Sequence, residues 1–413
     1  MSSSPRPKPL TGARWWTLLG PAFVAAVAYV DPGNVAANLQ AGARYGYLLV
    51  WVLVVATIGA GVVQYLSAKL GVVTGLSLPE AVGWRFGKAT RIGYWLQAEA
   101  VAIATDLAEV VGGAVALQLL FSLPLPVGGL ITGAVSMVLL LVADRHGQRP
   151  FERVITGLLG IVAVGFVAGL FVSPPDPAGI AAGLVPRFAG TDSVLLATAM
   201  LGATVMPHVV YLHSALARDR FGLVEAGPER NRLLRATRLD VGIAMVLAGS
   251  VNIAMLLLAA ASLGGQQDVD TLAGAHRAVS QTLGPAVGVA FGLGLLASGL
   301  ASTSVGSYAG AVIMEGLIRR RIPLLVRRLI TLVPAMAALL AGLEPTGVLV
   351  LSQVVLSFGL PFALVPLVRQ TADRSVMGDS VNHRLLTVIA VVTTAAVVVL
   401  NVALIVLTLT NAG

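Results

Sequence analysis

Asp31-Pro32-Gly33-Asn34 interrupts an apolar run that extends from about Trp15 to Ala43. A carboxylate, a proline and a glycine break the pattern together, and in water they would form a turn between two short helices. Here the flanks, Leu18 to Val30 and Val35 to Ala43, carry no charged residue, so the break falls at membrane depth. Irregular backbone is tolerated there only where it packs in protein or lines a wet cavity. A carboxylate at the same depth is read as functional, since it is costly unless something pairs or uses it.

Composition supports a membrane reading. The chain has 413 residues, 57% hydrophobic and 11% charged, with a mean hydropathy of +0.88. No soluble domain of this length could hide so much apolar surface. The net charge is +8, but the basic residues form no patch interleaved with aromatics, so nucleic acid is not a partner. With no cysteine, disulfides, thiol nucleophiles and thiolate ligands are excluded, and any metal must be held by oxygen, nitrogen or thioether.

Stretches long enough to span, about 17 to 25 residues each, follow near 48–70, 94–121, 126–143, 151–172, 193–217, 237–263, 286–315, 327–343, 347–368 and 385–409. With the first helix this makes about eleven. Cytoplasmic loops collect Lys and Arg. If the N-terminus is inside, all but Arg44, Arg187 and Arg277 of the 27 Lys and Arg residues fall on the cytoplasmic side. One helix more or fewer would scramble this, so the N-terminus is expected inside and the C-terminus outside. Trp15, Trp16, Tyr47, Trp51, Tyr94 and Trp95 stand at expected helix starts, at headgroup level. The polar arm and apolar run could also be a signal peptide with its cleavage site in Ala25 to Ala28; the run continues past that site, which argues against it.

The sixth segment has its own break at Met206-Pro207-His208, where proline removes a backbone hydrogen bond. A lone kink of this kind is commonly structural. Its position raises its significance, because helices 1 and 6 correspond if helices 1–5 and 6–10 are two repeats. Five spans per repeat require the second copy to be inverted. Paired interrupted helices point to a transporter's central site. The chain then divides into a cytoplasmic arm (1–13), a first repeat (14–172), an extracytoplasmic loop (173–192), a second repeat (193–368), and a loop with helix 11 (369–413). The fold class is an all-α polytopic membrane protein.

Asp31 offers a carboxylate and Asn34 an amide oxygen; the unwound backbone offers carbonyls near Ala28 and Ala203, and Met206 offers a thioether. Oxygen alone suits Mg²⁺, Ca²⁺ and Mn²⁺, whereas sulfur favours softer metals, so the mixed set fits Mn²⁺ or Fe²⁺. Taken alone, Met206 packs as any core methionine does.

The motifs DPGN in the first helix, ATDLAEVVGGA in the third, GATVMPHVVYLHSAL in the sixth and ASTSVGSYAGAVIMEG in the eighth resemble those of bacterial members of the Nramp family of divalent-metal transporters. The resemblance runs from Gly20 to about Pro366. It implies a LeuT-like fold with helices 1 and 6 broken, and symport of Mn²⁺, Fe²⁺ and related ions with protons. It also implies Asp31, Asn34 and Met206 as metal ligands, helped by the carbonyls of Ala28 and Ala203, with Gln353 joining in some states. Two features depart from the family pattern. The eighth-helix motif has less Gln and Thr than usual, and Gly359 stands where many members carry Gln.

Glu99, Asp106 and Glu109 are spaced by seven and three residues, which places all three on one helical face. On the lipid side they would be very costly, so they must face the bundle. One reading is a packed polar seam. The other is a proton pathway in which Asp31 takes part and the proton leaves by His208 or by Glu109 and Asp106 towards the arginines. Glu99 lies on the same face, and His208, His213, Arg220, Arg327 and Arg328 are the titrating or cationic partners. Spacing shows only the shared face; the family resemblance implies the route.

Glycine runs such as Gly59 to Gly61 and Gly292 to Gly299 are read as close helix packing, Asn252 as an interhelical hydrogen bond or a neighbour of the site, Arg319 to Arg321 as anionic-lipid contacts, and Asp268 and Asp270 as a solvated loop. A sodium-coupled solute symporter, a channel and a membrane metalloenzyme are the competing functions. Against the enzyme, the sequence has neither an HExxH nor a GxSxG pattern. The expectation is a monomeric, proton-coupled importer of Mn²⁺, or also Fe²⁺, in a bacterial plasma membrane, with no cofactor and no enzymatic activity.

Overall fold

The computed structural model describes residues 18–411 apart from 265–268 and 270. The arm 1–13, Trp15, Trp16, Asp268 and Asp270 lie outside the described residues. Among those described there is no strand. The helices are α1 (Pro21–Ala28), α2 (Pro32–Tyr45), α3 (Val50–Thr74), α4 (Leu78–Arg85), α5 (Lys88–Phe121), α6 (Leu125–His146), α7 (Gln148–Val172), α8 (Pro177–Gly183), α9 (Thr191–Thr204), α10 (Pro207–Phe221), α11 (Pro228–Ser262), α12 (Leu272–Leu283), α13 (Pro285–Ile318), α14 (Leu324–Leu340), α15 (Pro345–Thr371), α16 (Arg374–Met377) and α17 (Arg384–Asn411).

Nine helical stretches among the described residues are long and apolar enough to cross a membrane, with α9 and α10 counted as one. The two other expected spans are the α1–α2 pair, of 8 and 14 residues, and α14, of 17 residues. Each of these helices is short for a 30 Å hydrocarbon core at about 1.5 Å per residue. Large apolar side chains such as Phe171, 83% exposed, and Val246, 69% exposed, stand on the perimeter. Lipid tails, not water, are the medium that makes this stable.

The order of elements occurs twice. A broken pair, a long helix, a short helix and three long helices run from α1 to α7, and the same sequence runs from α9 to α15. The short helices α4 and α12 hold the same place in each copy. α13 packs along α5, α10 against α3, and α11 against α2 and α3. The broken helices thereby sit inside the largest apolar cluster, which includes Val24, Val27, Tyr29, Val205 and Met206.

Close approach is built from small residues. A Cβ on Gly42 of α2 would lie 2.7 Å from Ala259 Cβ and 2.9 Å from Ala260 N of α11, and would also strike Leu256 O. The glycine runs behave likewise in part. Gly292 faces Leu120 at 2.7 Å and Gly299 faces Gly113 N at 3.0 Å, whereas Gly61 meets only Met245, at 3.7 Å.

Some boundaries differ from those the sequence suggests. α5 begins at Lys88 and α11 at Pro228, six and nine residues before the apolar stretches at 94 and 237. Helical hydrogen bonding continues past the hydrocarbon edge, so hydropathy marks the slab and not the helix end. Tyr94 and Trp95 consequently lie within α5 and not at its start. The first break spans Tyr29 to Asp31, and Pro32 opens α2. Asn34 is thus in the first helical turn, because proline at the first position is pre-organised for a helix.

Candidate functional site

The two breaks face each other. Asp31 caps α2, its Oδ1 accepting from Asn34 N at 2.8 Å. The Asn34 Nδ2 group donates to the same oxygen at 2.6 Å and to Ala203 O, near the end of α9, at 3.0 Å. Met206 stands extended at the head of α10, with Pro207 as the first helical residue. Ala28 is the last residue of α1, where carbonyls lose their intrahelical partners. Gln353 of α15 lies over Gly33, on the same side as the Asp31 carboxylate. All six sequence-expected metal-site residues therefore belong to the breaks or the helix beside them.

Asp31, Asn34 and Met206 are at most 1% exposed, so the constellation is buried among the helices. Asn34 Oδ1 is buried without a hydrogen-bond partner, and such orphaned acceptors are rare. Its amide nitrogen occupies the position between two acceptors, Asp31 Oδ1 and Ala203 O. A half-turn of the amide would bring Oδ1 there instead and create an all-acceptor environment for a cation. No group of three or more His, Cys, Asp or Glu side chains positioned to hold a metal occurs among the described residues. The constellation is a mixed one, with a single carboxylate supplemented by amide, carbonyl and thioether donors.

The freed backbone of the first break is held by side chains from two other helices. Asn252 Nδ2 of α11 donates to Tyr29 O at 2.8 Å, and its Oδ1 accepts from Asn38 at 2.7 Å. Ser298 of α13 donates to Val30 O, and Ser302 to Val27 O at 3.4 Å. The sequence reading left Asn252 undecided and overlooked both serines. Their signal was the i, i+4 spacing, which puts two hydroxyls on one face. The start of α1 is held from a distance as well: Asp240 accepts from Gly20 N at 2.9 Å and Ala22 N at 3.0 Å.

The α5 carboxylates do share one face, and they differ in partnership. Glu99 pairs with Arg327 at 2.9 Å. Asp106 pairs with Arg328, whose side chain is 0% exposed, and accepts from Thr303 at 2.8 Å. Arg328 also donates to Ser136 at 2.7 Å. Glu109, 0% exposed, has neither oxygen in a hydrogen bond. It lies in the field of Asp106, Asp31 and Arg328 and packs against the face of Gly306. The arginines of this seam are thus partners of Glu99 and Asp106, while Glu109 stands between them and Asp31.

Of three other expected members, His208 meets α5 through a hydroxyl, and His213 and Arg220 bond away from the α5 carboxylates. His208 faces Thr105 at 3.5 Å, not a carboxylate. His213 bonds to Gln64 Oε1 at 2.7 Å, and Gln64 in turn donates to the Tyr29 hydroxyl, forming a separate relay to the first break. Five residues apart on α10, the two histidines point to different sides of the helix. Arg220 pairs with Glu152 and donates to Leu19 O at 2.9 Å, so it belongs to the start of α1 and not to the α5 seam. Gln64, an amide at mid-span of an apolar helix, was the readable signal for the relay.

Gly359 packs tightly: a Cβ there would come within 2.7 Å of Val101 and 3.0 Å of Pro207. A longer side chain has no room unless the head of α10 shifts.

Comparison with known proteins agrees with this architecture. The sequence profile of the family described as "Natural resistance-associated macrophage protein-like" (Nramp) matches residues 22–407. The divalent metal cation transporter MntH of Mycobacterium tuberculosis H37Rv is 62% identical over 396 residues, covering 96% of this chain and 92% of the relative. The Bacillus subtilis protein of the same name is 47% identical over 394 residues, covering 94% and 91%. The crystal structure of the Eremococcus coleocola manganese transporter with an aromatic bis-isothiourea compound superposes with a TM-score of 0.87 at 30% identity, covering 97% and 89%. A nucleobase-cation-symport-1 family transporter, at 15% identity and a TM-score of 0.62 over 94% and 92%, shares the LeuT-like fold alone. With a family profile matching nearly its full length and a multi-pass fold to suit, the chain belongs to the Nramp family of membrane transporters.

Proposed function

We propose that the protein imports divalent transition-metal ions, Mn²⁺ and also Fe²⁺, with protons, by alternating access across a bacterial plasma membrane. Asp31, Asn34 and Met206 bind the ion together with the carbonyls of Ala28 and Ala203, and Gln353 joins from α15. The observation that carries this reading is the Asn34 amide shared between Asp31 and Ala203 O, which draws the two breaks onto one buried point. The named relatives, divalent metal cation transporters and a manganese transporter, support it. The thioether selects against the abundant hard cations, which prefer oxygen.

Glu109, which lies in the electrostatic field of Asp31, carries the proton. The paired Asp106–Arg328 and Glu99–Arg327 continue the polar seam along α5. The N-terminus is inside and the C-terminus outside, as the distribution of Lys and Arg favours. The ion is cargo, and no nucleotide or resident cofactor takes part.

The test is Mn²⁺ uptake into proteoliposomes in the presence of excess Ca²⁺. Wild-type uptake is expected to resist Ca²⁺. Met206→Ala is expected to carry Mn²⁺ and lose that resistance. A variant as resistant as wild type would make Met206 a packing residue and move the metal site elsewhere.

A further inference from the structure

At one end of the bundle the start of α5 and the end of α13 leave a groove between them, with a volume of about 650 Å³. Its floor is apolar and includes Trp95, Leu317 and Ile322, and its rim is cationic, with Lys88, Arg91 and Arg320. Among the described residues, no acidic one lines it. The nearby Glu315 is engaged by Arg321. The Arg91 guanidinium is fixed in place by donating from Nε to Leu317 O at 2.7 Å, so its position does not depend on a ligand.

The surroundings face the bilayer. Leu96 is 56% exposed and Trp84 72% exposed, and the Arg319 guanidinium lies over the Trp84 ring at 5.7 Å. This is the headgroup-level arrangement of tryptophan and arginine. An inorganic anion would satisfy the rim and leave the apolar floor uncovered. An uncharged lipid would cover the floor and leave three cations without a counter-charge. Only a molecule with a phosphate at one end and acyl chains at the other satisfies both parts.

We propose that this groove is a binding site for an anionic phospholipid, with its phosphate held by Lys88, Arg91 and Arg320 and its chains laid over Trp95 and Ile322. Guanidinium groups suit this role because their planar fork matches phosphate oxygens. In the orientation proposed above, the site faces the cytoplasmic leaflet, whose anionic lipids attract such basic rims. The bound lipid bridges α5, which carries the carboxylate seam, to α13, which holds the first break through Ser298 and Ser302.

The test titrates detergent-purified protein with phosphatidylglycerol or with phosphatidylcholine of the same chains and counts bound lipid by native mass spectrometry. The first phosphatidylglycerol is expected to bind more tightly. Arg320→Gln, an exposed change that leaves the fold intact, should weaken it about fivefold, and the triple Lys88→Gln, Arg91→Gln, Arg320→Gln variant about fivefold again per cation lost. Inorganic phosphate should not compete. Equal binding of the two lipids, or a preference that survives both variants, would overturn the proposal. Competition by inorganic phosphate would also overturn it, in favour of a soluble anion. Because no transport is measured, the outcome is independent of whether the metal-import reading stands.

Discussion

Asp106 and Arg328 form an ion pair cut off from water, their side chains 2% and 0% exposed. Removing one partner strands the other charge, which typically costs about 3–5 kcal/mol. Asp106→Ala is therefore expected to lower the thermal unfolding midpoint strongly. Arg321→Gln should shift stability by less than about 1 kcal/mol, because Arg321 is 83% exposed in its pair with Glu315. Thermal scans of both variants in one detergent test the contrast, and equal shifts would refute it. Glu109 is a different kind of residue, since it is buried without a hydrogen bond. Structural packing alone would favour an amide or an apolar side chain there, so a carboxylate points to use. Glu109→Gln is expected to remove Mn²⁺-stimulated proton influx in proteoliposomes while leaving the fold intact. Unchanged influx would take Glu109 off the proton route.

The functional elements are short helices opened by proline and closed where the chain unwinds. Pro32 and Pro207 each begin a half-helix at its first position, and the preceding residues, Asp31 and Met206, are extended. Such short helices are not stable by themselves. They persist because other helices satisfy their ends, as Asp240 does for the start of α1 and Asn252 and Ser298 do for the break that follows it. They also persist because glycines admit close neighbours. Gly42→Val would drive a side chain into the backbone of α11. Overpacking of this kind costs about 1–3 kcal/mol, and the upper end is expected here because backbone cannot rotate away. Gly61→Ala, whose Cβ would make only an ordinary contact with Met245 at 3.7 Å, should be tolerated within about 0.5 kcal/mol. Thermal stability of the two variants, measured side by side, decides whether close approach or mere glycine content matters.

At the scale of the whole molecule, the proposed orientation rests on the distribution of Lys and Arg. The chain has no cysteine, so single cysteines report cleanly on sidedness. An impermeant thiol reagent is expected to label Arg277→Cys in intact cells, and Glu225→Cys only after permeabilisation. Both positions are exposed. The reverse pattern would invert the topology, and labelling of both in intact cells would break the span count between them.

Hydropathy, the two proline-marked breaks and the Lys and Arg distribution made the membrane class, the repeat and the candidate ligands readable in the sequence. Each of these is a local property: burial in lipid demands continuous apolar stretches, and a broken helix needs its own breaker residues. Partnership was not readable. The spacing of Glu99, Asp106 and Glu109 showed one face, but not that two of the three carry an arginine and the third carries none. Neither did it show that Arg220 belongs with Glu152, or that His213 reaches Tyr29 through Gln64. Those contacts join residues tens to hundreds of positions apart, and they exist only once helix packing has brought the faces together. The sequence by itself determined which residues could hold a cation or a proton, and the tertiary structure decided which of them meet.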